Sequence, residues 1–169
     1  KPEVFQDFYD SVKGITDAAK KLPYNGTKAP VPVISGNVSF YNESSKGKAI
    51  SPSPIIACIG VIKNYTNAVT MKIKESENIL FLVGERGEEL GGSVYYDLHN
   101  ELGASIPIID FEKERNAISA VTASINKNLV MSCHDISDGG LITAISEMIL
   151  GGNADGKIGA EVDIGFSKL

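Results

Sequence analysis

The sequence has few cysteines, no excess of positive charge and no long apolar run, and each shortage narrows the reading. Only two cysteines occur in 169 residues, Cys58 and Cys133. Both lie in apolar stretches and read as reduced core thiols rather than a disulfide framework, which fits a cytoplasmic setting. Lys and Arg number 16 against 21 Asp and Glu, for a net charge of −5. A nucleic-acid surface needs clustered cations, and none is present; Lys20-Lys21 reads as a helix end, where positive charge suits the dipole. The longest charge-free apolar stretch, Ala49 to Ile62, contains two prolines. It falls short of the ~20 residues that cross a bilayer, so no membrane span is expected. No repeat at a solenoid period and no low-complexity tract is visible.

What is present is core material in two alternating rhythms. Hydrophobic residues make up 43% of the chain, enough for a packed core. Residues 3–22 carry Val4, Phe8, Val12, Ile15, Ala19 and Leu22 at spacings of three and four, which predicts an amphipathic helix with Pro2 at its first position and Pro23 beyond its end. Further helices are expected over 93–102, closed by Gly103; over 111–128, capped by Asp110 and carrying Phe111, Ile118, Val121 and Ile125 inward; and over 140–150, with Leu141, Ile145 and Met148 inward. Short apolar runs near 31–38, 54–63, 79–83 and 129–134, with an alternating run at 157–164, predict strands. Helix and strand patterns interleave throughout, so the fold class is α/β (α+β). The polar stretch 64–67 marks the best boundary, dividing the chain into 1–67 and 68–169. The chain opens on Lys1-Pro2-Glu3, directly at a helix, and reads as a piece of a longer polypeptide.

Three motifs carry the chemistry: Ser35-Gly-Asn-Val-Ser39-Phe-Tyr-Asn-Glu43, Leu90-Gly-Gly-Ser93, and His134-Asp-Ile-Ser-Asp-Gly-Gly-Leu141. The last two place glycines where a helix begins, and orphan N–H groups at such a start favour an anion. Gly91, Gly92, Asp138, Gly139 and Gly140 are therefore candidates for phosphate loops. A plain helix start explains the same residues, and Asp138 itself would repel a phosphate. Gly36, Asn37 and Ser39 also fit an Asx-type turn at a strand end. His134, following a run of core residues, reads as a hydrogen-bonded structural histidine. Glu85, Glu88 and Glu89 read as a solvated loop, because no companion ligand stands at a fixed short spacing; Arg86 is the single cation beside them.

The three motifs in this order, with Ile50-Ser-Pro-Ser-Pro-Ile55 between them, resemble the large synthetase subunits of phosphoribosylformylglycinamidine synthases, in the aminoimidazole-ribonucleotide-synthetase-like superfamily. The likeness covers nearly the whole chain. It implies a fused pair of halves, each with an A and a B domain, with residues 1–67 as the tail of the second A domain and 68–169 as the first part of the second B domain. It implies an ATP-dependent C–N ligase of purine biosynthesis. In such a ligase ATP activates the amide of formylglycinamide ribonucleotide as an iminophosphate, and glutamine-derived ammonia displaces the phosphate. By position, Gly36 would lie against ATP, Asn37 would ligate Mg²⁺ and Ser39 would touch the substrate. Partners would be a glutaminase subunit and a small accessory subunit. The family's catalytic histidines and acidic metal ligands belong to the first half, and neither His99 nor His134 matches them. No catalytic residue is therefore expected in this chain, which alone should be inactive. The alternatives are another ATP-dependent enzyme of the superfamily, resembling aminoimidazole ribonucleotide synthetase, thiamine-phosphate kinase or a selenide dikinase, or a non-catalytic half that binds a nucleotide or docks a partner.

Overall fold

The computed structural model describes residues 2–24, 27–39, 43–151 and 158–165. Among the described residues the regular elements are four α-helices, α1 (Pro2–Lys21), α2 (Val94–Leu98), α3 (Phe111–Asn126) and α4 (Gly140–Leu150), with a 3-10 turn at Tyr65–Asn67. Asn64 caps that turn, its side chain accepting from the Thr66 N–H. The chain divides into two units, residues 1–60 with 84–117 and residues 61–83 with 118–169. This is a different partition from a cut at 67/68.

In the first unit, α1 follows the expected period. Val4, Phe8, Ile15, Ala19 and Leu22 are half-buried along one stripe. Val12, expected in that stripe, is exposed and Ser11 holds its place, because at 3.6 residues per turn Ser11 falls nearer the centre of the stripe and Val12 at its edge. The charges fit a solvated outer face: Glu3 in the first turn, Lys20 and Lys21 in the last, and a Lys13–Asp17 pair at 2.8 Å one turn apart. The Lys21 ammonium stands 4.7 Å from the centroid of the Phe111 ring. Beyond the helix, the Val31 N–H donates to the Ala19 carbonyl at 2.9 Å and so anchors the start of the 31–39 segment.

The helix ends show why two boundaries differ from the pattern. The expected helix over 93–102 stops at Leu98. Asn100, at φ 56, turns the chain into the left-handed region; its N–H reaches the Asp97 carbonyl while the Glu101 N–H reaches that of Tyr96. These paired bonds form a Schellman stop, with Asn100 in the place usually held by glycine. Gly103, expected to close this helix, has φ 73 and serves elsewhere, its Cα face lying against Gly91 and the Tyr96 ring. Helix α3 stops at Asn126 the same way: Asn128 has φ 57, its N–H reaches Ile125, and the Leu129 N–H reaches Ser124. At its start, Asp110 Oδ1 accepts from the N–H groups of Glu112 (3.0 Å) and Lys113 (3.2 Å), as expected of a cap. Phe111, Val121 and Ile125 are half-buried, but Ile118 is exposed and Ala117 holds the inward position.

The second unit gathers round α4. Ala144 is its most buried side chain, flanked by half-buried Leu141, Ile145 and Met148. The neighbouring 70–73 segment is tied at both ends. The Cys133 N–H donates to the Thr70 carbonyl (3.1 Å) and the Ser132 hydroxyl to the Lys72 carbonyl, while the Ile73 N–H donates to the Met148 carbonyl (3.1 Å).

Pairing of strands is sparse. Among the described residues the ladder consists of two isolated bridges, antiparallel Glu43–Ala49 and parallel Thr70–Ser132. The runs at 31–38, 54–63 and 79–83, and the described residues of 157–164, are not assembled into paired strands; Ile55 is 94% exposed and Phe81 82%. A period of two reports which side chains suit a sheet, but a strand exists only where another segment meets its N–H and C=O groups. Cys58, expected in a core, is exposed with the run that carries it, and both thiols are free.

Candidate functional site

The Gly36-Asn37-Ser39 motif lies on the segment that leaves the end of α1, and all three residues are exposed. Gly36 has an ordinary φ, and a Cβ built on it would meet nothing within 4 Å. Among the described residues, neither local conformation nor packing therefore requires glycine at position 36. Among the described residues no hydrogen bond of the Asn37 amide is found, so the internal Asx-type bond of a turn does not account for it. Ser39 has an interaction partner. Phe40, Tyr41 and Asn42 lie outside the described residues. The chain then forms a tight turn in which the Ser44 N–H donates to the Lys48 carbonyl (2.8 Å), with Gly47 at φ 70. No group of three or more His, Cys, Asp or Glu among the described residues is placed to hold a metal.

The Gly91-Gly92-Ser93 turn has a complete local explanation. The Gly91 N–H donates to the Ser105 carbonyl (2.7 Å) and the Gly92 N–H to that of Leu102 (2.6 Å). Ser93 caps α2, its hydroxyl accepting from the Tyr96 N–H at 3.3 Å. A Cβ on Gly91 would stand 2.7 Å from the Ser105 oxygen, and Gly92 has φ 73. These glycines allow two stretches of backbone to touch, and the amides that a phosphate would use are already engaged. A concavity of about 260 Å³ lies beside the turn, lined by Gly92, Ser93, Val94, Asp97, Glu101 and Leu102. Asp97 and Glu101 make that lining acidic, which does not favour an anionic ligand.

The Asp138-Gly139-Gly140 turn is built differently. Gly139 (φ 81), not Asp138, is the N-cap of α4, and no side chain caps the helix. Gly140 also has positive φ (72), and its N–H donates to the Ser137 carbonyl at 3.1 Å. The Gly139 carbonyl accepts from the Thr143 hydroxyl at 2.9 Å. Asp138 is exposed and stands just outside the helix.

His134 closes this turn against the helix. Its Nδ1 lies 3.1 Å from Asp135 Oδ1 and its Nε2 3.0 Å from Glu147 Oε2, with the ring 14% exposed. The carboxylates, Asp135 first and then Glu147, push the histidine above its ordinary range, and His134 in turn draws Asp135 below the usual carboxylate range. The structural role expected of His134 thus has named partners. Sequence reasoning missed Glu147: it stands 13 residues away across a turn, and no periodicity links the two. In the first unit, Glu85 pairs with Lys113 at 2.6 Å across exposed surface, and Arg86 has an interaction partner of its own. No described helix is long and apolar enough to cross a membrane.

Comparison with known proteins follows the motifs. Residues 75–168 match the family described as AIR synthase related protein, C-terminal domain. The phosphoribosylformylglycinamidine synthase subunit PurL of Methanothrix thermoacetophila is 45% identical over 152 residues, which cover 89% of this chain and 20% of that protein. The PurL subunits of Alkaliphilus metalliredigens (37%) and Thermococcus sibiricus (38%) are similar over 164 residues, 96% and 97% of this chain and 21% of each relative. The chain thus spans about a fifth of the length of these relatives. No solved structure matches it. The mixed α/β class read from the alternating helix and strand patterns is that of the superfamily to which the matched domain belongs. With more than half of its residues inside the matched domain, the chain belongs to the AIR synthase-related family.

Proposed function

We propose that this chain is a segment of the synthetase subunit of a phosphoribosylformylglycinamidine synthase, an ATP-dependent C–N ligase of purine biosynthesis acting in the cytoplasm. The observation that carries the reading is the likeness to PurL subunits over 89–97% of the chain. Residues 1–67 are the tail of an A-type domain and 68–169 the first part of a B-type domain. The substrates are formylglycinamide ribonucleotide, ATP and ammonia from a glutaminase partner, with a small accessory subunit completing the complex.

Within this reading Gly36 faces ATP, Asn37 offers its amide oxygen to Mg²⁺ and Ser39 contacts the ribonucleotide. Two features support the assignment. Among the described residues nothing lies within 4 Å of a Cβ built on Gly36, and no strained φ explains a glycine there, whereas a backbone that must approach a nucleotide closely would. Asn37 is exposed, and its neutral hard oxygen suits Mg²⁺, which keeps several waters and is held by few protein groups plus phosphates. The remaining ligands would come from ATP and from parts of the subunit beyond this chain. Bound there, Mg²⁺ would neutralise phosphate charge as it develops. Gly36, Asn37 and Ser39 hold and orient; none is a proton donor or nucleophile for the reaction. Of the two glycine turns, Asp138-Gly139-Gly140 starts its helix without a side-chain cap, with the Gly140 amide bonded to the Ser137 carbonyl and Asp138 alongside.

The test is ATP turnover by the full-length subunit and by this chain alone, each with formylglycinamide ribonucleotide and ammonia. Turnover should require both co-substrates in the subunit and be absent in the chain. Turnover that instead follows thiamine phosphate or selenide would favour the related kinases, and turnover by the isolated chain would overturn the assignment of catalysis to the other half.

A further inference from the structure

The His134 contacts have a chemical consequence that is independent of the proposed reaction. Both ring nitrogens lie within hydrogen-bond distance of carboxylate oxygens, Asp135 at 3.1 Å and Glu147 at 3.0 Å. An ionised carboxylate only accepts, and a neutral imidazole has a single N–H. Both contacts are therefore satisfied together only by the imidazolium. In the neutral ring one lone pair must face a carboxylate oxygen, and that contact has to open. Asp135 is the next residue in the chain, so its contact survives with little ordering. Glu147 lies 13 residues on, in the last turn of α4, and its side chain is 52% exposed. The Glu147 contact is the one that gives way.

The geometry points to His134 as a protonation-dependent latch: its imidazolium ties the turn 135–139 to the last turn of α4, and loss of the ring proton releases the turn on the Glu147 side. The latch sits on a segment held firmly from behind, where Ser132 and Cys133 bond to the carbonyls of Lys72 and Thr70. Release therefore frees the turn rather than the segment before it. Asp135 on the ring's own segment and Glu147 on α4 are the charged groups that act on it. On the adjoining 70–73 segment, the Lys72 carbonyl accepts from the Ser132 hydroxyl, and the neighbouring Cys133 thiol is free. The turn that moves includes Gly139, whose αL conformation starts α4, so latch opening loosens the same N–H groups that begin the helix.

The direction with pH follows from the two shifts. His134 is raised in the folded chain, so its contribution is complete below the ordinary histidine range, ~6.5, and is lost as pH rises through the higher folded value. Asp135 is lowered, so its contribution is complete above ~3.9 and is lost only as pH falls through its lower folded value. The latch opens as pH rises through the raised His134 value.

The experiment is an NMR titration of the chain, following the His134 ring nitrogens and the protection of amides 135–142 after correction for base-catalysed exchange. The His134 midpoint should lie above ~6.5, and protection should fall about 1.5- to 5-fold through that same midpoint, the range an exposed ion pair supplies. In Glu147→Gln the carboxamide can accept from the imidazolium or donate to the neutral ring, so the step should vanish while the turn stays protected. In Glu147→Ala protection should be low at every pH. A wild-type turn whose protection is flat through the His134 midpoint overturns the latch, as does a step that persists undiminished in Glu147→Gln. If a variant fails to fold, coincidence of the two wild-type midpoints still decides the matter.

Discussion

Replacing Gly139 by alanine should weaken α4 far more than the same change at its neighbour, Gly140. Both residues hold positive φ, 81 and 72, and an L-residue in the left-handed region costs about 1–2 kcal/mol. The surroundings differ. At Gly140 a Cβ would meet nothing within 4 Å. At Gly139 it would collide with Thr143 Oγ1 and stand 2.8 Å from Thr143 Cβ and 3.0 Å from Cγ2. Rotation about χ1 can move the hydroxyl and the methyl aside, but Thr143 Cβ is fixed to the helix backbone. The backbone itself must then yield, and overpacking of this kind costs about 1–3 kcal/mol. Moving Thr143 also forfeits its bond to the Gly139 carbonyl. The sum is about 2–5 kcal/mol for Gly139→Ala against about 1–2 kcal/mol for Gly140→Ala. Native-state amide exchange of residues 143–150 reads the difference directly, as a larger fall in protection for the first variant. Equal losses in the two variants would show that the αL start of α4, and the contact of Thr143 with it, are not as described.

Two further outcomes follow from the same geometry. Asp110→Ala removes the acceptor for two amides at the start of α3 and should cost about 0.5–2 kcal/mol, seen as fraying of the first turn of α3 in amide exchange, with the last turn unchanged. Gly91→Ala places a methyl group 2.7 Å from the Ser105 oxygen, a backbone atom that cannot rotate away; it should destabilise the first unit by about 1–3 kcal/mol and expose the Gly91 and Gly92 amides, whereas Gly60→Ala, with nothing within 4 Å, should leave the same amides protected.

The helices were legible because their information is local. The stripes of α1 and α4 and the Asp110 cap are statements about residues three or four apart, and they hold. Helix ends were less legible where asparagine did the work of glycine: Asn100 and Asn128 both take positive φ, and only the bonds they make distinguish them from ordinary polar residues. The strand runs signalled apolar character, but pairing depends on what lies opposite, and Ile55, Ile59 and Phe81 remain exposed. At the glycine turns, sequence placed a helix start correctly while leaving phosphate and turn readings open. The engaged amides of Gly91 and Gly92 favour the turn there, a distinction set by Leu102 and Ser105, ten or more residues away. The His134–Glu147 contact had no periodic signature, since it crosses a turn and reaches the last turn of a helix. The roles of Gly36, Asn37 and Ser39 came from family likeness, and nothing local to those residues would have suggested a metal.

Asn37 offers the most direct test of the proposed site. Steady-state kinetics of the full-length subunit, with Mg²⁺, ATP and the ribonucleotide varied separately, should show Asn37→Ala demanding more Mg²⁺ for ATP use and being partly rescued by excess metal, since alanine supplies no oxygen while the other ligands persist. Ser39→Ala should leave the metal requirement alone and raise the requirement for the ribonucleotide about two- to twelve-fold, the effect of losing one hydrogen bond worth about 0.5–1.5 kcal/mol. A folded Asn37→Ala subunit with unchanged metal dependence would contradict the site.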